Sequence, residues 1–251
     1  MLIAAIETSG RSGSIALCET AGESGQLPAT SIETRSLDRE GRRHARTLVA
    51  ELDRLFRDHG QTLAACEAIA VSIGPGSFTG LRVGLACAKT LAWATGCRIL
   101  AVDTLQCVAA QAPADVEEVL VISDAQRGDV AVRTFRRAKP ASRQPGSGGL
   151  TEPGQMEPAG ALSLLPADVW CGERSPDDYV SGPAVAKYQP LLEDRCRIAP
   201  PEQCQPGADS LLRLAIPRLL AGAADDAWTI EPAYTRRSAA EEKADAVSHG
   251  H

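Results

Sequence analysis

Aromatic side chains are scarce in this chain. Three Phe, three Tyr and three Trp make up 4 % of its 251 residues. A protein that grips nucleic acid alone needs stacking platforms or a basic face. The formal net charge of -6 and the pI near 5.3 leave neither in bulk. Local basic groups do exist, Arg39/Arg42/Arg43/Arg46 and Arg133/Arg136/Arg137/Lys139, and charge runs of this kind are ordinarily solvated faces.

Other absences exclude further classes. No apolar run approaches the roughly 20 residues of a membrane-spanning helix, and Met1 leads straight into a short apolar run ending at Glu7, so no secretory leader is expected. No pair among the eight cysteines has Cys-x-x-Cys spacing, which leaves zinc and redox motifs without support. Several of these thiols lie inside apolar runs, where a free thiol is a small core residue. Scattered free thiols suit a reducing compartment, so a cytoplasmic location is expected. The four histidines, His44, His59, His249 and His251, offer no ligand pair on one helix face, and no nucleophile elbow is present.

What is present is α/β patterning. Leu2–Ile6 and Ser14–Cys18 read as strands around a polar, glycine-bearing turn, with a third strand over Ser31–Leu37. Gly41–Gly60 is the clearest helix, with Ala45, Leu48, Val49, Leu52, Leu55 and Phe56 on one face. Ala68–Ile73, the loop Gly74–Gly80, a helix over Phe78–Thr95 and the strand Ile99–Val102 form a βαβ unit, followed by a helix from Thr104 to Gln111. Val119–Ser123 and Val130–Arg136 repeat the opening hairpin. Two such hairpins outline the actin/Hsp70-like ATPase (ASKHA) fold with two similar lobes, here 1–115 and 116–237. Ala138–Gly160, dense in Pro, Gly, Ser and Gln, reads as a mobile surface insertion. Val169–Gly172 reads as a strand and Asp209–Leu220 as a helix kinked at Pro217. Residues 238–251 read as a flexible tail.

Two sets of residues carry the chemistry. Gly74-Pro75-Gly76-Ser77-Phe78-Thr79-Gly80-Leu81-Arg82-Val83-Gly84 joins a strand to a helix. Helix-terminal amides and bare glycines can cradle a phosphate, or the loop can be a tight structural turn. It is neither a Walker A loop nor a Rossmann fingerprint. Gly80, Gly84, Ala88 and Ala92 recur every four residues and permit close helix packing, within the chain or with a partner. Glu7 and Asp124 end the first strands of the two hairpins. Carboxylates there can hold hydrated magnesium, with Thr8 and Ser9 in the phosphate turn, or they can simply bond their turns.

Ile3–Leu17, Arg42-Arg43-His44, the Gly74–Gly84 block through Ala101-Val102-Asp103-Thr104-Leu105, Asp124-Ala125-Gln126-Arg127-Gly128-Asp129-Val130, and Glu231-Pro232-Ala233-Tyr234 occur in the order found in the bacterial TsaB (YeaZ) family, which the chain resembles over nearly its whole length. The resemblance implies an ASKHA fold and a part in installing threonylcarbamoyladenosine in tRNA. It implies pairing with the catalytic paralogue TsaD and with an ATPase, TsaE, and tRNA contact only through that complex. Where TsaD carries its metal-holding His-Met-Glu-Gly-His, this chain has Thr104-Leu105-Gln106-Cys107-Val108, so no metal and no transfer chemistry are expected here. The family pairs through its first two helices, which nominates Arg42, His44, Ala45, Leu48, Leu52, Leu55, Gly80, Gly84 and Ala88, unless the stripe packs inside its own lobe. A homodimer is a further possibility for the free chain. No cofactor is required of it, although ATP or ADP with magnesium could sit at a complex interface. Glu7 stands where the family more often has Asp. The rival reading is a nucleotide-dependent ATPase or small-molecule kinase using Glu7, Asp124 and the glycine loop; a peptidase ranks below both.

Overall fold

Strand β1 (Leu2–Glu7) is buried along its whole length, because it has neighbours on both edges and helices on both faces. It pairs antiparallel with β2 (Ser14–Glu19) and parallel with β4 (Ala68–Gly74). With β3 (Glu33–Ser36) and β5 (Arg98–Asp103) these form a five-stranded sheet in the order β3-β2-β1-β4-β5. The computed structural model describes residues 1–20, 32–37, 44–138 and 155–235, with only the backbone of 44–46. Arg42, most of the Ala138–Gly160 insertion and the 238–251 tail lie outside these residues.

Side-chain alternation along the strands divides this sheet into two apolar faces. Ala4, Ile6, Ile69 and Val71 meet helices α1 (His44–Asp58) and α2 (Phe78–Thr95). Ile3, Ala5, Ala70 and Leu100 meet helix α6 (Ala208–Leu220). Alanine at alternate positions brings the helix backbones close. Ser77 caps α2 by accepting from Gly80 N at 3.2 Å, and Gly96 closes it with φ +74°. Asp103 caps the short α3 (Thr104–Ala109), accepting from Leu105 N and Gln106 N at 2.7 and 3.2 Å.

The second sheet contains β6 (Glu118–Asp124), β7 (Asp129–Arg137), β8 (Met156–Pro158), β10 (Tyr179–Ser181) and β11 (Arg197–Ile198), ordered β11-β10-β6-β7-β8, while β9 (Ser163–Pro166) also pairs with β7. From β7 to β11 the order and strand senses follow those from β2 to β5: an antiparallel hairpin, then two parallel additions. Helices α3, α4 (Ala167–Gly172) and α5 (Val185–Leu192) pack on it.

Three elements differ from the sequence reading. Val169–Gly172 lies in α4 rather than in a strand, with Trp170 and Cys171 turned inward at helical spacing. Residues 156–158, expected in the insertion, form the edge strand β8. Residues 208–235, expected with 116–207, return to the first sheet: α6 covers its second face, and Asp225 bridges to Ile99. The apolar face of Ile3, Ala5 and Leu100 needs a cover, and α6 carries a wide enough stripe, with Leu211, Leu212, Ala215, Ile216 and Leu219 all inside. No helix among the described residues is long and apolar enough to cross a membrane.

Candidate functional site

The turn after β1, the glycine loop before α2 and the segment 231–234 converge at one end of the first sheet. Ser77 N donates to Ser9 O at 2.7 Å, and the Thr8 hydroxyl donates to Gly80 O at 2.8 Å. Gly74 N donates to Thr104 Oγ1 at 3.1 Å, and Ala233 N to Ile73 O at 2.7 Å. The structure therefore brings Glu7, Thr8, Ser9, Gly74 and Gly76 together at a junction in which Glu7, Thr8, Ser9 and Gly74 are buried and Gly76 is exposed.

The loop glycines are spaces already filled. A Cβ on Gly80 would stand 1.9 Å from Thr8 O, and one on Gly84 2.2 Å from Thr8 Oγ1. A Cβ on Gly76 would stand 2.7 Å from Ser9 Cβ, and one on Gly74, at φ +116°, 2.6 Å from Ala233 O. Of the two readings left open for the loop, this geometry is that of a packing joint between α2 and the β1 turn. The side-chain positions of Gly76 and Gly80 are occupied by Ser9 and Thr8, while Gly76 and Ser77 also face solvent.

Glu7 is fully buried. Its Oε1 accepts from Ser9 N at 2.5 Å and from the Ser9 hydroxyl. Its Oε2 has no partner, and neither has the Ser72 hydroxyl oxygen. Burial raises the carboxyl pKa above the ordinary 4.5, against the lowering effect of Ser9 and Ser72. A proton on Oε2, donated toward Ser72, would satisfy both orphaned atoms. Burial and a raised pKa make this carboxyl a poorer magnesium ligand than an exposed carboxylate.

A pH prediction follows from this burial. With the folded pKa raised, the folded state holds a proton that the unfolded chain releases above pH 4.5. Stability should therefore fall as pH rises from the unfolded toward the folded pKa, by up to about 1.4 kcal/mol per pH unit. Glu7→Gln should flatten that slope and leave the protein at least as stable at neutral pH. Urea unfolding across pH 5–8 tests this; parallel profiles for the two proteins would refute a neutral Glu7.

Asp124 is separate from this junction. It ends β6 on the surface, accepts from Gln126 N at 3.0 Å and is held bidentately by Lys187 Nζ at 3.0 and 2.9 Å. The turn that follows is left-handed at Gln126, Arg127 and Gly128.

The nominated partner residues need correction. Leu48, Leu52 and Leu55 are at most 1 % exposed and fill the core between α1 and the first sheet. Gly80, Gly84 and Ala88 are buried beneath α2. His44 and Ala45 lie in the first turn of α1, with side chains outside the described set. The small-residue row and the leucine stripe are the two helices' inward faces. The outward faces carry Val49 and Trp93, 60 % and 74 % exposed.

Sequence reasoning missed Trp93, although the 3.6-residue period turns it away from Gly80, Gly84 and Ala88. It also missed that the glycine block and Glu231–Tyr234 are one structure. Phe78 and Tyr234 stack at 4.7 Å between centroids, the Arg82 guanidinium lies 4.0 Å over Phe78, and Arg82 Nε donates to the Tyr234 hydroxyl at 2.9 Å.

A family model described as TsaD, tRNA N6-adenosine threonylcarbamoyltransferase, matches residues 38–156. An uncharacterized protein of Mycobacterium tuberculosis is 35 % identical over 91 residues, 36 % of this chain and 42 % of that protein. The tRNA threonylcarbamoyladenosine biosynthesis protein TsaB of Bacillus subtilis is 45 % identical over 62 residues, 25 % of this chain and 27 % of that protein. The matched stretches thus span 42 % and 27 % of these curated relatives. The crystallised YeaZ from Pseudomonas aeruginosa superposes with a TM-score of 0.70 at 25 % identity, over 93 % of this chain and 99 % of that one.

Two mixed sheets with flanking helices, and this likeness along the chain, define an α/β protein of the ASKHA-like class. Within that class the chain is similar to YeaZ of Pseudomonas aeruginosa along nearly its whole length, and in shorter stretches to TsaB of Bacillus subtilis and to the TsaD family model.

Proposed function

We propose that the chain serves threonylcarbamoyladenosine biosynthesis in tRNA as a non-catalytic subunit that pairs with a TsaD-type transferase. One observation carries this reading. The two positions that match the transferase's metal-holding histidines are Thr104 and Val108. Thr104 is buried and bonded to Gly74 N, and Val108 lies in the core of the second sheet. Cys107 between them is fully buried, with its thiol pKa raised well above the usual value by burial. Residues that form core and junction do not present ligands to a substrate. The filled glycine loop and buried Glu7 disfavour the nucleotide-dependent enzyme.

In this reading the pairing surface is the outward side of α1 and α2, centred on Trp93 on α2 and including Val49 on α1. A large exposed aromatic on a helix of small residues has the character of an interface anchor. A TsaE-like ATPase joins the same assembly, tRNA is met only through it, and the chain needs no cofactor of its own. Trp93→Glu should keep the unfolding midpoint of the parent and weaken binding to the purified transferase paralogue by at least about 30-fold, the ~2 kcal/mol of an aromatic anchor. Titration calorimetry measures this; unchanged affinity would sink the surface, and no binding by the parent protein would sink the pairing itself.

A further inference from the structure

The edges of the two sheets are not alike. A strand edge with free N–H and C=O groups is a template for another strand, and charge, proline, shortness or side-chain cover blunts it. On β3, Arg35 is bonded to Glu33 and paired with Asp58. On β5, the Asp225 carboxylate accepts from Ala101 N at 2.8 Å, and Arg218 Nη1 donates to Ala101 O at 3.2 Å. β8 carries Glu157 and Pro158, and β11 has only two residues, with Arg197 paired to Asp115. β9 is different. No charged residue stands between Glu157 and Asp168. All four residues of Ser163–Pro166 are exposed, Leu164 at 42 % and Leu165 at 38 %, although neighbours in a strand face opposite sides.

The strand register shows which backbone groups of β9 are free. Ala167 N donates to Gly128 O, and the register continues as Asp129 with Pro166, Val130 with Leu165 and Ala131 with Leu164. Antiparallel pairs alternate between bonded and non-bonded. Ser163 and Leu165 therefore bond to β7, while the N–H and C=O of Leu164 point away from it. The other side of β7 agrees: Ala125 N donates to Asp129 O, so Asp129 and every second residue after it bond to β6, and Val130 and Val132 to β9. No described strand lies beyond β9. Pro166 has no N–H to offer. The outer edge of β9 thus presents one donor, Leu164 N, with the carbonyls of Leu164 and Pro166.

We propose that β9 is a homotypic docking edge, through which two copies of this chain pair antiparallel about a two-fold axis at Leu164. Leu164 N of each copy donates to Leu164 O of the other. Ser163 of each copy then stands opposite Leu165 of the other. One donor and one acceptor on the same residue are both satisfied by a rotated copy of themselves, which is the self-complementarity that two-fold symmetry requires. The missing N–H of Pro166 ends the pairing there. An edge without charge meets its own copy with no like charges opposed. The second sheet then runs on from β7 through β9 into the second copy. The contact is small, so association is weak and depends on concentration. α1 and α2 pack on the first sheet and take no part in it.

The test is sedimentation of the full-length protein, in reducing buffer, from about 5 to about 500 μM, the span in which a small interface is populated. The weight-average mass should rise from 26.4 kDa toward twice that value. Leu164→Lys opposes two ammonium groups at the axis and should weaken the association about tenfold, with the thermal midpoint of the parent. Leu164→Pro removes the outward N–H without taking a bond from β7, and should weaken it as well. A parent protein that stays monomeric at every concentration would overturn the proposal and leave the edge to an extended segment of another protein. Dimers that persist in both Leu164 variants would overturn it too, as would dimers removed by Trp93→Glu and not by Leu164→Lys, which would place the contact on α1 and α2.

Discussion

Gly80→Ala is expected to lower the stability of the protein by at least about 3 kcal/mol, the range of severe overpacking. The new methyl group would stand 1.9 Å from Thr8 O, a backbone atom that cannot rotate away. Thr8 itself is fixed by its hydroxyl bond to Gly80 O and by the buried strand before it. Relief would require α2 to lift from β1, which would also loosen Gly84 from Thr8 Oγ1. Gly172→Ala is the control: nothing lies within 4 Å of its Cβ, so its effect should stay within about 0.5 kcal/mol. Urea unfolding of the three proteins measures both. The experiment also separates the two readings of the loop. A loop kept bare for phosphate would let Gly80→Ala fold normally and lose a ligand; a packing joint makes the same change a folding defect.

Leu52→Asp should abolish the native fold of the first sheet, at a cost above about 4 kcal/mol. Removing a buried leucine side chain alone costs roughly 2–5 kcal/mol, and an unpaired carboxylate placed at that depth adds a desolvation penalty. Leu52 is 1 % exposed and packs in the same cluster as Leu48, Leu55 and Phe56. Loss of pairing by this variant would therefore report unfolding rather than a broken contact. Far-UV circular dichroism and urea unfolding decide. A folded Leu52→Asp protein of parental stability with impaired pairing would return the leucine stripe to the surface. Trp93→Glu, on the outward face, is the variant that separates contact from fold.

The βαβ unit and the opening hairpin were legible because their signals are local. The apolar run Leu2–Ile6, the apolar face of the first long helix and the glycine block between strand and helix each lie within one window of sequence. The first-hairpin and α2 boundaries fall within a residue or two of the reading. Short elements of the second sheet were not legible. β10 and β11 have three and two residues, too few for a period, and α4 has six, so one apolar run served equally as strand or helix.

The site divides in the same way. Sequence alone determined that the histidines are missing at Thr104 and Val108, that acids end the two hairpins at Glu7 and Asp124, and that Gly74, Gly76, Gly80 and Gly84 leave room for something to come close. What comes close was decided by tertiary structure: Thr8, Ser9 and Ala233, separated from the loop by scores of residues, fill that room. Tertiary structure likewise decided that Glu7 is sealed in while Asp124 is paired with Lys187, and that the leucines of α1 face inward while Trp93 faces out. The physical reason is that periodicity specifies which side of a helix is apolar, and a glycine specifies that space is needed. The sheet that covers the apolar side, and the atoms that enter the space, come from elsewhere in the chain.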